Sequence, residues 1–215
     1  MNRQKLFKDF LSWRVHHLND RSFVLILSII IGFLSGVAAA LLKVTVITIG
    51  ETLFSFYSDS DTILPLIIFP IIGIILTIVF LKYIIRDNVD HGVPRILYAI
   101  SKLDGSMRYH KTFSSLIGGS LTGGFGGSVG LESPIISTGA SIGSSIGQSL
   151  KLGYKHKTLL IGCGAAGAMA SIFTTPIAAV IFAFEVLMLD LSAASIIPIL
   201  MASVTGAVTT KLLTA

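Results

Sequence analysis

The most constraining feature of the chain is a glycine-rich break inside a strongly apolar sequence. Residues 123–130 contain five glycines, which permit backbone conformations that other residues resist. Glu132 follows, and Pro134 suits the first turn of a helix, where its missing N–H would have no partner anyway. Irregular backbone at membrane depth is tolerated only where protein buries it or where it lines a cavity. We therefore predict that one helix ends at this break and that another begins near Ser133 and Pro134, with its N-terminus pointing inward.

The composition places the chain among polytopic all-α membrane proteins. Its 215 residues are 53% hydrophobic and 13% charged, against roughly 25% charged in soluble domains. The net charge of +5 is spread between apolar runs, which argues against nucleic-acid binding. The single cysteine, Cys163, excludes an intrachain disulfide, and glycines and alanines flank it, so we expect it to be buried. The spacing of the other residues indicates no metal site, and we expect no cofactor.

The chain divides into residues 1–21 and residues 22–215. The first part carries five basic residues among regularly spaced apolar ones, which favours an amphipathic helix on the membrane surface over a solvated tail. Ser22 to Leu42 is uncharged and long enough to span a bilayer. Residues 51–61 are acidic without lysine or arginine, so we predict an outer loop there and a cytoplasmic N-terminus in a plasma or inner membrane.

The later segments are short or interrupted. Thr62 to Leu81 is predicted to return across the bilayer, and Thr112 to Gly123 to form a packed helix. Lys151 to Lys157 is predicted to be a basic loop. Thr158 to Ala183 is interrupted by a proline, and Leu191 to Ala215 forms the last apolar segment. Glycines recur every fourth residue after the central break and favour close helix packing: Gly139, Gly143 and Gly147. Broken helices of this kind are typical of transporter and channel cores.

Three ionisable residues are candidates for function. Glu132 precedes a helix N-terminus, where N–H groups and the helix dipole favour an anion, so its carboxylate could gate an anion site or only cap its own helix. His91 precedes a second glycine-proline helix start and could donate to an anion or lie in a surface loop. Glu185 could bind helix-end donors or take part in transport. No dinucleotide, P-loop, zinc or Ser-His-Asp pattern is present, so the chain is not predicted to be an enzyme.

Three motifs resemble those of the CLC chloride channel and transporter family. Residues 130–134 (GLESP) resemble its GREGP motif, and residues 90–94 (DHGVP) resemble GSGIP. Residues 165–185 resemble its GAAAG, NAPLAG and FxxEE stretch, and all three occur in the family's order. The resemblance implies the first inverted repeat of a CLC-type domain, with broken, re-entrant helices. The second half, with its GxFxP motif and pore tyrosine, has no counterpart in this sequence.

The resemblance also implies roles for individual residues. Glu132 matches the gating glutamate, which competes with chloride. His91 stands where the family often has a chloride-contacting serine, Leu131 replaces a basic residue, and Ser133 replaces a glycine. Glu185 matches the first of two adjacent glutamates and is a possible structural carboxylate. The anion-binding set implied by the family comprises His91, Gly92, Val93, Gly130, Leu131, Glu132 and Ser133.

The mode of transport is left open by one further position. Val186 replaces the second glutamate, which relays protons in many exchangers; channels carry valine, but some exchangers also lack this glutamate. We expect chloride-selective transport, with chloride and the lipid bilayer as partners. The missing second half of the membrane domain is expected to be a further partner, and the assembly is expected to be a homodimer. The alternatives are a proton-coupled antiporter for chloride or another halide, a different carrier with broken helices, and a non-transporting membrane fragment.

Overall fold

All the regular secondary structure in the described part of the chain is helical, with no strand in it. The computed structural model describes residues 20–58, 64–85, 92–109, 111–128, 130–188 and 192–214. The α-helices are α1 (Asp20–Ser58), α2 (Leu64–Val79), α3 (Val93–Lys102), α4 (Lys111–Gly124), α5 (Glu132–Ser149), α6 (Tyr154–Phe173), α7 (Pro176–Val186) and α8 (Ala193–Leu213), and a π-helical segment, Phe80–Ile85, continues α2. The predicted all-α class is therefore confirmed.

The first helix is longer than the sequence analysis predicted. The predicted outer loop over residues 51–61 is wrong for residues 51–58, because α1 continues to Ser58. No glycine or proline interrupts this stretch, and the Thr52 hydroxyl donates to the Thr48 carbonyl at 2.7 Å, as helical geometry allows. At the other end, α1 begins at Asp20, so the predicted boundary at residue 21 falls inside a helix. The predicted amphipathic helix otherwise lies outside the described residues.

Helices α1, α6 and α8 run side by side in the same direction. Small residues let their backbones meet, since a Cβ atom on Gly36 would lie 2.7 Å from the Gly206 carbonyl oxygen. The Thr210 hydroxyl also donates to the Gly36 carbonyl at 2.9 Å across the same interface. Gly206 in turn faces Gly167 of α6. Such close approach is the usual way in which membrane helices associate, because lipid provides no hydrophobic drive between them.

Helices α5 and α6 form a second close pair, and they run antiparallel. Gly139 of α5 contacts the backbone of Gly164, and Gly143 contacts the backbone of Leu160. The regular glycine spacing was predicted to form such a face, and the structure confirms it. The pairing holds α5 firmly over most of its length, which makes α5 a rigid support for the residues at its N-terminus.

Two clusters of buried apolar residues hold these helices together. The first cluster includes Leu42, Ile96, Ile135 and Ile161, and so joins α1, α3, α5 and α6. The second joins α1, α6, α7 and α8, and it contains Cys163, which is fully buried as predicted. Several buried hydroxyls donate to carbonyls one turn earlier in their own helices: Thr138 to Pro134, Ser171 to Gly167 and Ser203 to Ile199.

The remaining helices agree with the predicted interruptions. The α6–α7 break falls at Thr174, which adopts a left-handed conformation (φ 54°), before Pro176 begins α7. Helix α6 begins at Tyr154, so the predicted basic loop over residues 151–157 is helical in its second half.

By length and apolar composition, α1 and α8 could each cross a membrane. Helix α2 is shorter and exposes many isoleucines, a surface suited to lipid or to a protein partner.

Candidate anion site at two helix N-termini

The central break separates α4 from α5. Helix α4 ends in a Schellman motif, in which the Gly127 N–H donates to the Thr122 carbonyl (2.9 Å) and the Gly126 N–H donates to the Gly123 carbonyl (3.1 Å). Gly126 has a φ of 82°, which a residue with a side chain would resist. Helix α5 then begins at Glu132. The predicted interruption is confirmed, since no continuous helix covers this stretch.

The second predicted helix start is found at Val93. Gly92 precedes it with φ 94° and ψ −162°, a conformation that is essentially restricted to glycine. No side chain caps α3, and Pro94 lies in its first turn. Ile96 and Ala99 are buried and fix the helix against the first apolar cluster. Gly92, as the N-cap residue, therefore supplies no side-chain acceptor to the backbone N–H groups at this end.

The structure brings these two helix starts together. A Cβ atom on Gly92 would lie 2.6 Å from the Oγ atom of Ser133, so the glycine allows the α3 start to reach the first turn of α5. Val93 and Leu131 pack against the same apolar cluster, which supports both helix ends. About forty residues separate the two positions in the chain, and the contact between them depends on tertiary packing.

Glu132 is the first residue of α5, and its side chain is exposed. The N-cap residue of α5 is Leu131, whose side chain provides no cap, so the Glu132 carboxylate lies beside a helix start that its N-cap residue leaves open. It makes no hydrogen bond or ion pair with any residue in the described ranges. Gly130 is exposed, and a Cβ atom there would meet nothing within 4 Å. The carboxylate and the preceding backbone therefore border open space.

Uncapped helix starts can hold an anion. The first N–H groups of a helix have no partner inside the helix, and the dipole places positive charge at the same end. Two such ends in contact, each with a proline in its first turn, present several donors to one small region. Such a region suits a small anion, or a carboxylate that competes with one.

The other predicted site residues lie apart from this junction or cannot be placed. His91 lies outside the described residues. Glu185, near the end of α7, is exposed and makes no bond with the described residues, so no contact supports its expected binding of helix-end donors. Val186 is half-buried beside it. Within the described ranges, no group of three or more His, Cys, Asp or Glu residues is arranged to hold a metal ion.

A polar clamp that sequence reasoning missed holds the segment after α3 onto α5. The Ser144 hydroxyl donates to the Gly105 carbonyl (2.7 Å) and accepts from the Met107 N–H (2.9 Å). The Gln148 side-chain amide donates to the Met107 carbonyl at 2.8 Å. Asp104 forms an ion pair with Lys157 at 2.7 Å. Serine and glutamine in a small-residue helix carry no pattern that would have identified their partners.

These observations define a class: an all-helical membrane protein whose interrupted helices bring two uncapped N-termini together. A sequence model of the voltage-gated chloride channel family matches residues 73–215. The chain belongs to this family.

Related sequences and solved structures agree with this assignment. A ClcB-like protein of Ralstonia nicotianae is 26% identical over 141 residues, which are 64% of this chain and 33% of the relative. An uncharacterized protein of Methanocaldococcus jannaschii is 25% identical over 179 residues, covering 82% of this chain and 41% of the relative. The chain therefore spans less than half the length of these two relatives.

Two solved structures share the fold. A slow cyanobacterial Cl⁻/H⁺ antiporter superposes with a TM-score of 0.77 at 24% identity, covering 92% of this chain and 48% of the antiporter. A CLC-type fluoride/proton antiporter gives a TM-score of 0.71 at 28% identity, covering 89% of this chain and 47% of the antiporter. The CLC-type fold predicted from the sequence is thus confirmed.

Proposed function

We propose that this chain forms one half of a chloride-selective anion transport pathway across a membrane. The observation that carries the proposal is the contact between two uncapped helix starts at Gly92 and Ser133. The backbone N–H groups around Gly92, Val93, Leu131 and Ser133 would bind the anion, because helix N-termini stabilise negative charge without a fixed cation.

Glu132 would act as the gate of this pathway. Its carboxylate stands at the first residue of α5 without a cap or an ion-pair partner among the described residues. It can therefore occupy the anion position itself or move aside and admit chloride. Glu132 lies in the first turn of α5, where a carboxylate can also stabilise its own helix through the dipole without a hydrogen bond; the substitutions described below separate that role from gating.

A proton-coupled antiporter is the second candidate. The two solved structures described above are named as antiporters, one for chloride and one for fluoride. Val186 stands where many exchangers carry a proton-relaying glutamate, which favours a channel, but some exchangers lack that residue as well. A proton flux measured in vesicles during chloride movement would support the antiporter. Chloride movement without proton flux would support the channel.

The transport unit requires more than the 215 residues. Since the chain covers about half of each antiporter, a second half would complete the anion pathway, and a homodimer of the completed unit is proposed. Lysine and arginine are concentrated before α1 and between α2 and α4, which supports a cytoplasmic N-terminus in a plasma or inner membrane. The 215-residue chain, purified as a monomer, should give no selective chloride flux. Selective flux from that monomer would contradict this requirement.

The gate assignment is tested by Glu132→Gln and Glu132→Ala in the protein with both halves. Glutamine removes the charge and nearly keeps the shape, and alanine removes the side chain. Both should raise chloride flux into liposomes or abolish its dependence on external pH, because the competing charge is gone. The control is Glu51→Gln. Glu51 is also an exposed carboxylate but lies on α1, and its substitution should leave flux unchanged.

A purely structural role predicts a different result. Loss of a structural contact would lower the yield and the unfolding temperature while leaving flux per folded molecule unchanged. If both Glu132 variants fold normally and retain normal flux and a normal pH response, Glu132 is not the gate.

A further inference from the structure

Helix α3 carries one of the two helix starts that meet at the candidate anion site, yet it is a short helix. Its ten residues, Val93–Lys102, extend about 15 Å, and helices of this length are marginal on their own. The position of α3 therefore depends on its contacts with the rest of the bundle. Ile96 and Ala99 are its buried residues. Apolar burial has no preferred direction, so these two side chains do not by themselves fix how far α3 lies along its neighbours.

Four hydrogen bonds fix the end of α3 that lies away from the anion site. The Ser144 hydroxyl donates to the Gly105 carbonyl (2.7 Å) and accepts from the Met107 N–H and from the Gln148 amide (both 2.9 Å). The Gln148 amide also donates to the Met107 carbonyl (2.8 Å). A hydroxyl has one donor and two acceptor positions, so every position of the fully buried Ser144 is occupied. These four residues form the core of the polar clamp.

The polar clamp is bonded directly to α3. The Gly105 N–H donates to the Ala99 carbonyl of α3 at 2.9 Å, while the Gly105 carbonyl accepts from Ser144. Gly105 has a φ of 69°, which suits glycine. Lys157 of α6 donates to the Asp104 carbonyl at 3.0 Å and so holds the same turn from a second helix. A shift of α3 along its axis would therefore break buried hydrogen bonds.

The other end of α3 meets α5 at the anion site. Gly92 faces Ser133, and Ser144 follows Ser133 by eleven residues in α5, which is about 16 Å at the helical rise. Helix α3 thus runs beside α5 in the same direction and is held to it near both ends. Because a short helix moves as a unit, the bonds at Ser144 also determine where the Gly92 start lies relative to the start of α5.

We propose that Ser144 and Gln148 are positioning residues for the anion site. They hold α3 at one register along α5, so that the N–H groups at its start face those at the start of α5 across a single anion position. They act through α3 and do not touch the anion themselves. The inference rests on the proposed function, and it gives the polar clamp a role in anion affinity beyond its contribution to stability.

The first test measures chloride affinity by titration calorimetry in the protein with both halves. Ser144→Ala removes the central hydroxyl, and Gln148→Met removes the amide donors at a half-buried position while nearly keeping the length of the side chain. Each should weaken chloride binding by folded protein at least about tenfold, because the displaced α3 start loses charge-assisted hydrogen bonds to the anion.

The matched control is Ser203→Ala. Ser203 is also a fully buried serine, but it lies on α8 and donates to the Ile199 carbonyl of its own helix. Its substitution should change chloride affinity less than about twofold, since a bond within one helix does not set the position of another helix. Equal weakening by Ser203→Ala would overturn the positioning role, because any buried serine would then have the same effect.

The second test follows amide hydrogen exchange of the 215-residue chain in detergent and does not require chloride binding. Ser144→Ala and Gln148→Met should accelerate exchange at residues 96–102 at least about tenfold and leave α6 and α8 unchanged, because only α3 is released locally. Uniform acceleration in all helices, or none at residues 96–102, would overturn the positioning role.

The two proposals fail in different ways. If the wild type binds chloride and both folded variants bind it equally well, the positioning role is overturned and the proposed function stands. If the wild type with both halves binds no chloride, the proposed function is contradicted, and the inference that rests on it is overturned as well.

Discussion

The contact between Gly92 and Ser133 predicts a specific pair of stability effects. Gly92→Ala introduces a side chain at φ 94° and ψ −162°, a region that costs about 1–3 kcal/mol for residues other than glycine. The new Cβ atom would also lie 2.6 Å from Ser133 Oγ. That oxygen can rotate away about χ1, at about 0.5–1.5 kcal/mol for an unfavourable rotamer. Backbone strain is therefore the larger of the two contributions.

The two contributions can be separated with a second substitution. Ser133→Ala deletes the oxygen and leaves the Ser133 Cβ position 3.7 Å from the new methyl group, which is an ordinary contact. The double variant should keep the backbone strain and lose the steric part. We expect the Gly92→Ala variant to lose about 1.5–4.5 kcal/mol of folding free energy in total. The double variant should recover about 0.5–1.5 kcal/mol of it.

The assay is unfolding of the purified chain in detergent, followed by circular dichroism, for the wild type, both single variants and the double variant. For a chain of this size each kcal/mol corresponds to roughly 2–4 °C in the unfolding temperature. Gly153→Ala is the control glycine, because a Cβ atom there would meet nothing within 4 Å and its φ is −67°. Its effect should add to that of Ser133→Ala without coupling.

Strict additivity of Gly92→Ala and Ser133→Ala would refute the reasoning. It would mean that the two helix starts are not in contact in the folded protein. The argument for a shared anion site would then lose its geometric basis, whatever the stability of the single variants.

Three further predictions concern the helices that support the site. Gly143→Val should prevent folding, because the position contacts the backbone of α6 directly; a normal yield and unfolding temperature would contradict the packing. Asp104→Asn should lower the free energy of unfolding by only about 0.2–1 kcal/mol, since Asp104 is 66% exposed in its pair with Lys157, and a loss of several kcal/mol would show that the pair acts as a buried one. Cys163 is fully buried and should react with a maleimide only after denaturation; rapid labelling of the native protein would exclude the close packing of α6.

Much of the fold could be predicted because its signals are local. The central break, the helix start before Pro94 and the interruption at Pro176 depend on the conformational limits of glycine and proline, which act within a few residues. The glycine face of α5 was predicted for the same reason, since a repeat of four residues places small side chains on one side of a helix. The identity of its partner, α6, could not be read from that repeat.

The sequence alone determined that the helices are broken, that the chain belongs in a membrane, and that Glu132 precedes a helix start. The tertiary structure decided that the Gly92 start meets the Ser133 start, and neither N-cap residue, Gly92 or Leu131, provides a side-chain cap. It also decided that Ser144 and Gln148 bind the segment after α3. These contacts join residues far apart in the chain, and the packing of whole helices brings them together. Local propensity specifies where a helix begins and ends, but only close packing between helices specifies which ends meet.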